Sequence, residues 1–454
     1  MLIKPTHYDD DGYPITWFRS HIPSNTLAVL YGLGDDCQQR RVLGPDIDIV
    51  IKPIDESNTR VRPDRIMADI RRAGINVQGR KSRFRTPDDL EKIIRENLAQ
   101  GITSFFITDD NLARNRLWEA FLDRMIFLKE SEGIKLSLII QVDTQCDRIP
   151  NFIAKARYAG VYWVFIGLEN INPDNLLAAK KRQNKIVDYR RMLQAWHTSG
   201  ASTWASYILG FPGDSRESVL RDMEIIKKEL PLDVLELFIL TPLPGSEDHK
   251  KMWQRGEWMD PDLNKFDVHH RVVHHPKMSD AEFDQTYLDA WAAYYTPTHI
   301  ETVAGRHGAL RNGDPTQPAT HMTMFKIMFQ AEGIHPLEGG GLRLKYRRDR
   351  RPGMAIEAIG LFHLRLLAET WRKLKIYEPL IWQGWRIGRK VKNDPNRYAY
   401  TDLAIEPVVE DEMDTLALFA DTAGGGAAVS KKRGEDVAHS KVAAAQIQRL
   451  AAAE

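Results

Sequence analysis

The sequence predicts an α/β protein: an incomplete parallel (β/α) barrel, preceded by a partial doubly wound α/β domain and followed by a helical C-terminal region. Three observations carry this reading. Between residues 80 and 246, five strand-like apolar runs alternate with helical patterns, the order expected of a parallel sheet with outer helices. Glycines at 101, 133, 160 and 200 close the helices, because glycine accepts the left-handed conformation at a helix end. Polar and glycine-rich residues fall just after the strands, at the end where a parallel barrel carries its site.

Taken in order, residues 1–74 read as about half of a doubly wound domain, which usually has about five or six strands. A short apolar opening at 1–5 is followed by Ser24-Asn25-Thr26, a capping segment, and a helix through Leu27, Leu30, Tyr31 and Leu33. Residues 46–53 alternate and then become continuously apolar, a strand pattern. Pro63 precedes a helical pattern of Ile66, Met67 and Ile70. Residues 75–246 form the barrel. Thr86 caps a helix that has Pro87 in its first turn and Leu90, Ile93, Ile94 and Leu98 on its apolar face. Strands follow at 102–107, 136–142, 161–166, 202–209 and 234–240, with helices at 117–132, 150–159, 186–199 and 215–229 between them. Residues 247–300 are polar and aromatic and cap the barrel, 301–420 are helical and basic, and 421–454 form a flexible tail with Gly424, Gly425 and Gly426.

Composition narrows the function. The chain has 454 residues, and Lys plus Arg number 63 against 62 for Asp plus Glu, a net charge of +1. This balance argues against bulk electrostatic attraction to nucleic acid or anionic lipid, leaves room for a local basic patch, and predicts no nucleic-acid partner. There is no secretory h-region at the N-terminus and no apolar run of about 18 residues, so the chain reads as cytoplasmic with no transmembrane segment. The two cysteines, Cys37 and Cys146, exclude a disulfide framework and any single-chain site that needs three thiolates. Both read as small buried hydrophobes.

Four strand ends occur in a specific order: Thr108-Asp109-Asp110-Asn111, Gly167-Leu168-Glu169-Asn170, Gly210-Phe211-Pro212-Gly213-Asp214 and Thr241-Pro242-Leu243-Pro244-Gly245. Together they resemble the partial, TIM-like barrel of radical S-adenosylmethionine (radical SAM) enzymes, in the subclass with an N-terminal cobalamin-binding domain. The opening Ile3-Lys4-Pro5 fits that subclass too. The resemblance implies S-adenosylmethionine at the rim, an iron–sulfur cluster, cobalamin, an electron donor, a small-molecule substrate, and methyl transfer or ring modification. It further implies that Asp109, Asp110 and Asn111 accept from the amino group of S-adenosylmethionine. Glu169 would bond the ribose with Asn170 beside it, Gly210 and Pro212 would bring backbone to the adenine, and Leu240 would complete the set. Carboxylates match a cation, and glycine allows close approach. The structural alternatives are helix capping by Asp110 and Asn111 and a satisfied strand-end carboxylate at Glu169.

The family's cluster needs three thiolates spaced Cys-x3-Cys-x2-Cys, just before Ile75. This chain has Ile70-Arg71-Arg72-Ala73-Gly74 there. No metal ligand is therefore predicted, no catalytic residue is assigned, and the chain is expected to be inactive as a cluster enzyme. Two family-like halves meet near residues 74 and 75, as though an internal block of roughly 100–200 residues were missing. The resulting sheet edge predicts a tendency to aggregate. No Asp-x-His-x-x-Gly segment supplies a cobalamin ligand. The alternatives are a non-catalytic module that binds S-adenosylmethionine or a nucleoside, and a non-functional truncated fragment.

Three further features read as structural. His269, His270, His274 and His275 lack the spacing of a metal set and read as a polar surface segment. The basic run from Lys345 to Arg351 reads as a solvated loop. The helix pattern from Met354 to Leu374, with Trp371, Trp382 and Trp385, reads as packing on the barrel, and a peripheral membrane contact is the alternative.

Overall fold

The computed structural model describes residues 2–21, 24–61, 86–109, 111–172, 175, 186–311 and 313–407. The helix predicted at 63–70, the junction at 74–75, Asp110 and the tail at 421–454 lie outside the described residues. The chain forms two compact units. One holds Met1–Thr86, Thr241–Val273 and Thr320–Trp385; the other holds Pro87–Leu240, His274–Ala319 and Arg386–Glu454.

In the first unit, β1 (Leu2–Lys4) is followed by β2 (Thr16–Ser20), α1 (Asn25–Gln39) and β3 (Pro53–Asp55). Ser24 caps α1, its side chain accepting from the Leu27 N–H at 3.2 Å. β1 and β3 pair in parallel, Leu2 opposite Pro53 and Lys4 opposite Asp55. The strand expected at 46–53 is therefore displaced toward the C-terminus. β1 offers three residues to pair, so the preceding apolar run lies outside the strand ladder, and Val50 is 86% exposed.

The second unit carries the regular alternation. Its elements are α2 (Pro87–Leu98), β4 (Ser104–Phe106), α3 (Trp118–Glu132), β5 (Ser137–Val142), α4 (Phe152–Ala159), β6 (Val161–Glu169), α5 (Ile186–Ser199), β7 (Ser202–Leu209), α6 (Arg216–Glu229) and β8 (Val234–Ile239). The five strands pair in sequence order, every pair parallel, which is the half-barrel the sequence predicts. Gly133 and Gly160 end α3 and α4 with φ of 70° and 113°. Ser215 caps α6 in a reciprocal capping box with Ser218. β4 is three residues rather than the expected six, a short edge of the kind that limits edge-to-edge pairing.

Alternation along the strands separates two faces. Tyr207 on β7 reaches Asp222 of α6, its hydroxyl donating at 2.7 Å, so Tyr207, Ala205, Val164 and Ile166 share the helix-bearing face, where all are buried. Trp163, Phe165 and Trp204 lie on the opposite, concave face, with ring centroids 5.2 Å and 4.9 Å from Trp204.

Beyond the sheet come α7 (Glu247–Gln254), α8 (Asp280–Tyr294), α9 (Pro297–Ala309), α10 (Thr316–Ile327), β9 (Gly340–Leu344) and α11 (Ile359–Lys392). α8 and the residue after it guard the free edge of β8: Tyr287 and Tyr295 donate to the Leu237 and Leu235 carbonyls at 3.1 and 2.7 Å. Arg306 of α9 donates to the terminal carbonyls of α6 at Lys227 and Leu230, 2.8 and 3.0 Å away. In the first unit β9 returns to pair antiparallel with β2, a strand not foreseen in a region read as helical. Ile15 and Trp17, at the start of β2, enter a core with Ile327, Met328, Ala331 and Ile334.

The basic run is not a solvated loop. Lys345 is held by Asp9 at 3.0 Å and Glu369 at 2.9 Å, and Arg351 is bidentate to Asp262 at 2.6 and 2.7 Å. Lys345 and Arg351 thus each have a carboxylate within their own unit, and that pairing holds the two ends of the run against it. The helix read at 354–374 instead spans Ile359–Lys392, and Leu364, Leu367, Trp371 and Leu374 on it are exposed rather than packed.

Candidate functional site

The predicted rim residues stand at the C-terminal ends of the parallel strands and fall into two groups. At the ends of β4 and β5, Asp109 accepts from the Asn111 N–H at 3.1 Å and from Asn115 Nδ2 at 2.5 Å. The Asn111 side chain accepts from the Asp143 N–H at 3.3 Å. Asp143 in turn accepts from Arg114 Nε at 2.7 Å. Local turns thus occupy these side chains and fix the shape of this corner. Asn111 precedes a short 3-10 turn at Leu112–Arg114 but makes no side-chain cap bond there.

The second group lies at the ends of β6 and β7. A bulge between Gly167 and Glu169 interrupts their pairing, and Glu169 adopts φ 67°, a conformation costly for a residue with a Cβ. Asn170 is fully buried. Its Nδ2 donates to the Ile208 carbonyl at 3.0 Å, and its Oδ1 accepts from the Asn172 N–H at 2.7 Å. Asp214 organises the next turn. One of its oxygens accepts from the Gly210 and Phe211 N–H groups at 2.8 and 3.0 Å, and the other from Asn175 Nδ2 at 2.6 Å. Burial pushes the Asp214 carboxyl up, against those three donors.

Gly210 has φ 99°, and a Cβ there would stand 3.0 Å from the Phe283 ring. Its glycine is thus required by the turn and by Phe283. Leu240 sits beside it, 3.7 Å from that Cβ position, and Pro212 is exposed. His275 belongs here rather than to a surface segment. Its Nε2 donates to the Phe211 carbonyl at 2.8 Å while Nδ1 accepts from the Lys277 and Met278 N–H groups at 3.2 and 3.1 Å, which fixes the tautomer.

Two acids behind the rim are not among the predicted site residues. Glu236 on β8 shares the concave face with Trp204, since Ser206 pairs with Glu236 and Trp204 with Val234. It is fully buried, and burial raises its carboxyl well above the usual range, with the Trp204 indole opposing. The signal for it is a lone acid in the otherwise apolar run Val234-Leu235-Glu236-Leu237-Phe238.

Asp222 of α6 is held up at about 7 by burial, with repulsion from Asp214 adding and the Tyr207 hydroxyl opposing. Above the ordinary carboxylate range the unfolded chain ionises while the folded chain keeps this proton, so stability falls as pH rises toward about 7. Asp222→Asn removes that slope. Relative to wild type, the variant is expected to gain more than about 1 kcal/mol between about pH 5 and about pH 8. Urea unfolding at the two pH values measures the gain, and parallel pH profiles would refute it.

A thiolate-held cluster does not fit this chain. Cys146 is buried beneath Trp196, whose Nε1 donates to its sulfur at 3.4 Å, and burial pushes its thiol up to about 12. Cys37 lies on α1 in the other unit. Among the described residues no group of three or more His, Cys, Asp or Glu is placed to hold a metal ion. For cobalamin, the parallel sheet of the first unit has two strands among the described residues, short of the open sheet whose crevice holds such a ligand.

The half-barrel and its ordered strand ends define the class: a partial parallel β/α barrel with polar and glycine-rich residues at one rim. The relatives in sequence are named as methyltransferases or a methylase. The chain is 25% identical over 229 residues to bacteriochlorophyllide d C-12(1)-methyltransferase of Chlorobaculum tepidum, covering 49% of this chain and 48% of that protein. It is 25% identical over 203 residues to hopanoid C-2 methylase of Rhodopseudomonas palustris, covering 44% of this chain and 38% of that protein. The chain thus spans half or less of the length of these curated relatives. Among solved structures it is similar to the radical S-adenosylmethionine methyltransferase TsrM from Kitasatospora setae with cobalamin and a 4Fe-4S cluster bound. The TM-score is 0.37 and the identity 14%, over 48% of this chain and 51% of that one. No family model matches the chain.

Proposed function

We propose that this chain is a non-catalytic S-adenosylmethionine-binding member of the radical SAM methyltransferase line, which holds the ligand at the rim without a cluster of its own. The observation that carries this reading is a contrast. The four strand-end motifs are present in order, while the chain's two cysteines lie in different units and one of them is buried and protonated. Glu169 and Asp109 supply carboxylates for the ribose hydroxyls and the ammonium group. Leu240, beside Gly210, supplies apolar surface for the adenine. Bound there, S-adenosylmethionine supplies an activated methyl group.

A second reading is methylation of a ring-bearing small molecule, with an electron donor and a cluster supplied from outside this chain. The aromatic concave face of Trp163, Phe165 and Trp204 favours it, as do relatives named for a bacteriochlorophyllide and a hopanoid.

Calorimetric titration of the iron-free full chain with S-adenosylmethionine tests the first reading. Saturable heat is expected, and Glu169→Gln should weaken binding on the order of tenfold by removing a charge-assisted hydrogen bond. No heat at millimolar ligand would sink the proposal.

A further inference from the structure

Among the described residues, one long face of α11 carries exposed apolar side chains. Leu364 and Leu367 are each 67% exposed and Trp371 63%, with Leu374, Trp382 and Trp385 at half exposure or slightly above. Steps of three and four residues place the first four on one stripe. The opposite stripe is occupied, since Ile376, Tyr377 and Leu380 pack on the core of the first unit. A contiguous exposed apolar stripe on a 34-residue helix marks an interaction surface.

Charge identifies the partner. From 359 to 392 the helix carries eight Lys and Arg and two Glu. Glu369 points inward, bound to Lys345 at 2.9 Å and Lys373 at 2.6 Å, which leaves Glu378 as the acid on the exposed side. Arg372, Lys375 and Arg386 flank the apolar stripe and are exposed. Lys375 lies over the Trp371 ring at 5.4 Å. Leucine and tryptophan on one side with flanking cations that can reach outward is the pattern of a helix lying in a lipid headgroup layer.

A second copy of this chain is a poorer match. It would set the same excess of cations face to face, and Glu378 with the intrahelical Pro379 interrupts the seam a helix pair would need. We propose that the exposed face of α11 is a peripheral docking surface for an anionic lipid bilayer. The apolar side chains enter the headgroup boundary and the cations meet lipid phosphates. Among the described residues no helix is long and apolar enough to cross a membrane, so the contact is in-plane.

Flotation of the full chain with phosphatidylcholine vesicles, with and without phosphatidylglycerol, tests this surface. Binding to the anionic vesicles is expected, with a blue shift of tryptophan emission and loss at high salt, and at least about tenfold weaker binding to the neutral ones. Leu367→Ser with Trp371→Ser should abolish it. Arg372→Glu with Lys375→Glu should weaken it and flatten its salt dependence. All four side chains are exposed, so an unchanged melting curve separates lost docking from lost folding. Failure of the wild type to float, or equal flotation of the Leu367→Ser, Trp371→Ser variant, overturns the proposal. So does a dimer that the same variant dissolves in the absence of vesicle binding, which would assign the face to a second copy.

Discussion

Replacing Asp214 with alanine is expected to cost about 3 kcal/mol of stability, because three donors, two of them buried, lose their acceptor together. The Gly210 and Phe211 N–H groups and Asn175 Nδ2 all point at this one carboxylate, and Asp214 is 1% exposed, so water does not replace it. The desolvation that raises the Asp214 carboxyl offsets part of the loss. Asp214→Asn tests the assignment more finely. The amide oxygen can keep both backbone bonds, while its NH2 group would meet Asn175 Nδ2 donor to donor until Asn175 turns over. About half the alanine cost is expected. Urea unfolding gives both values. A change below about 0.5 kcal/mol for alanine would mean that the Gly210–Asp214 turn holds itself. Titration with S-adenosylmethionine should show binding lost in Asp214→Ala and weakened in Asp214→Asn.

Trp17→Ala is expected to cost about 3–5 kcal/mol and to act on the first unit. Trp17 is fully buried, its indole N–H donates to the Glu338 carbonyl at 2.8 Å, and its ring lies against Gly340. Truncation leaves a cavity between β2 and β9 together with an orphaned carbonyl. Gly340→Ala probes the same contact from the other side, since an added Cβ would stand 2.3 Å from Trp17 Cγ. Both variants should lower the melting temperature and raise amide exchange at Arg19 and Gly341, which pair in this sheet. Unchanged exchange there would show that the β2–β9 pairing does not depend on the indole.

The half-barrel was legible because each level agreed. Apolar runs of strand length, glycine-closed helices and polar strand ends all gave the same order, and helix ends such as Gly133 and Gly160 fell where expected. The pairing of β9 with β2 was not legible. Its sequence Gly-Gly-Leu-Arg-Leu has little β preference, and its partner lies more than 300 residues away. The basic run misled for a related reason: the carboxylates that draw Lys345 and Arg351 inward, Asp9, Glu369 and Asp262, are distant in sequence.

The rim shows a similar division. The positions of Asp109, Glu169, Asn170 and Gly210 at strand ends could be read from order alone. The hydrogen bonds that engage Asp109 and Asn170 locally, and the Phe283 ring that requires Gly210, depend on partners brought by the fold. The α11 face inverted its expectation because tryptophan and leucine at helical spacing look alike whether they pack on protein or lie open.

We propose that the rim binds S-adenosylmethionine and that this chain, with two cysteines, does not assemble the cluster by itself. Iron and acid-labile sulfide content after anaerobic reconstitution of the full chain tests this most directly. No iron retained above adventitious levels and no cluster absorption are expected, with S-adenosylmethionine binding unchanged. A stoichiometric, spectroscopically intact cluster on this chain would contradict it.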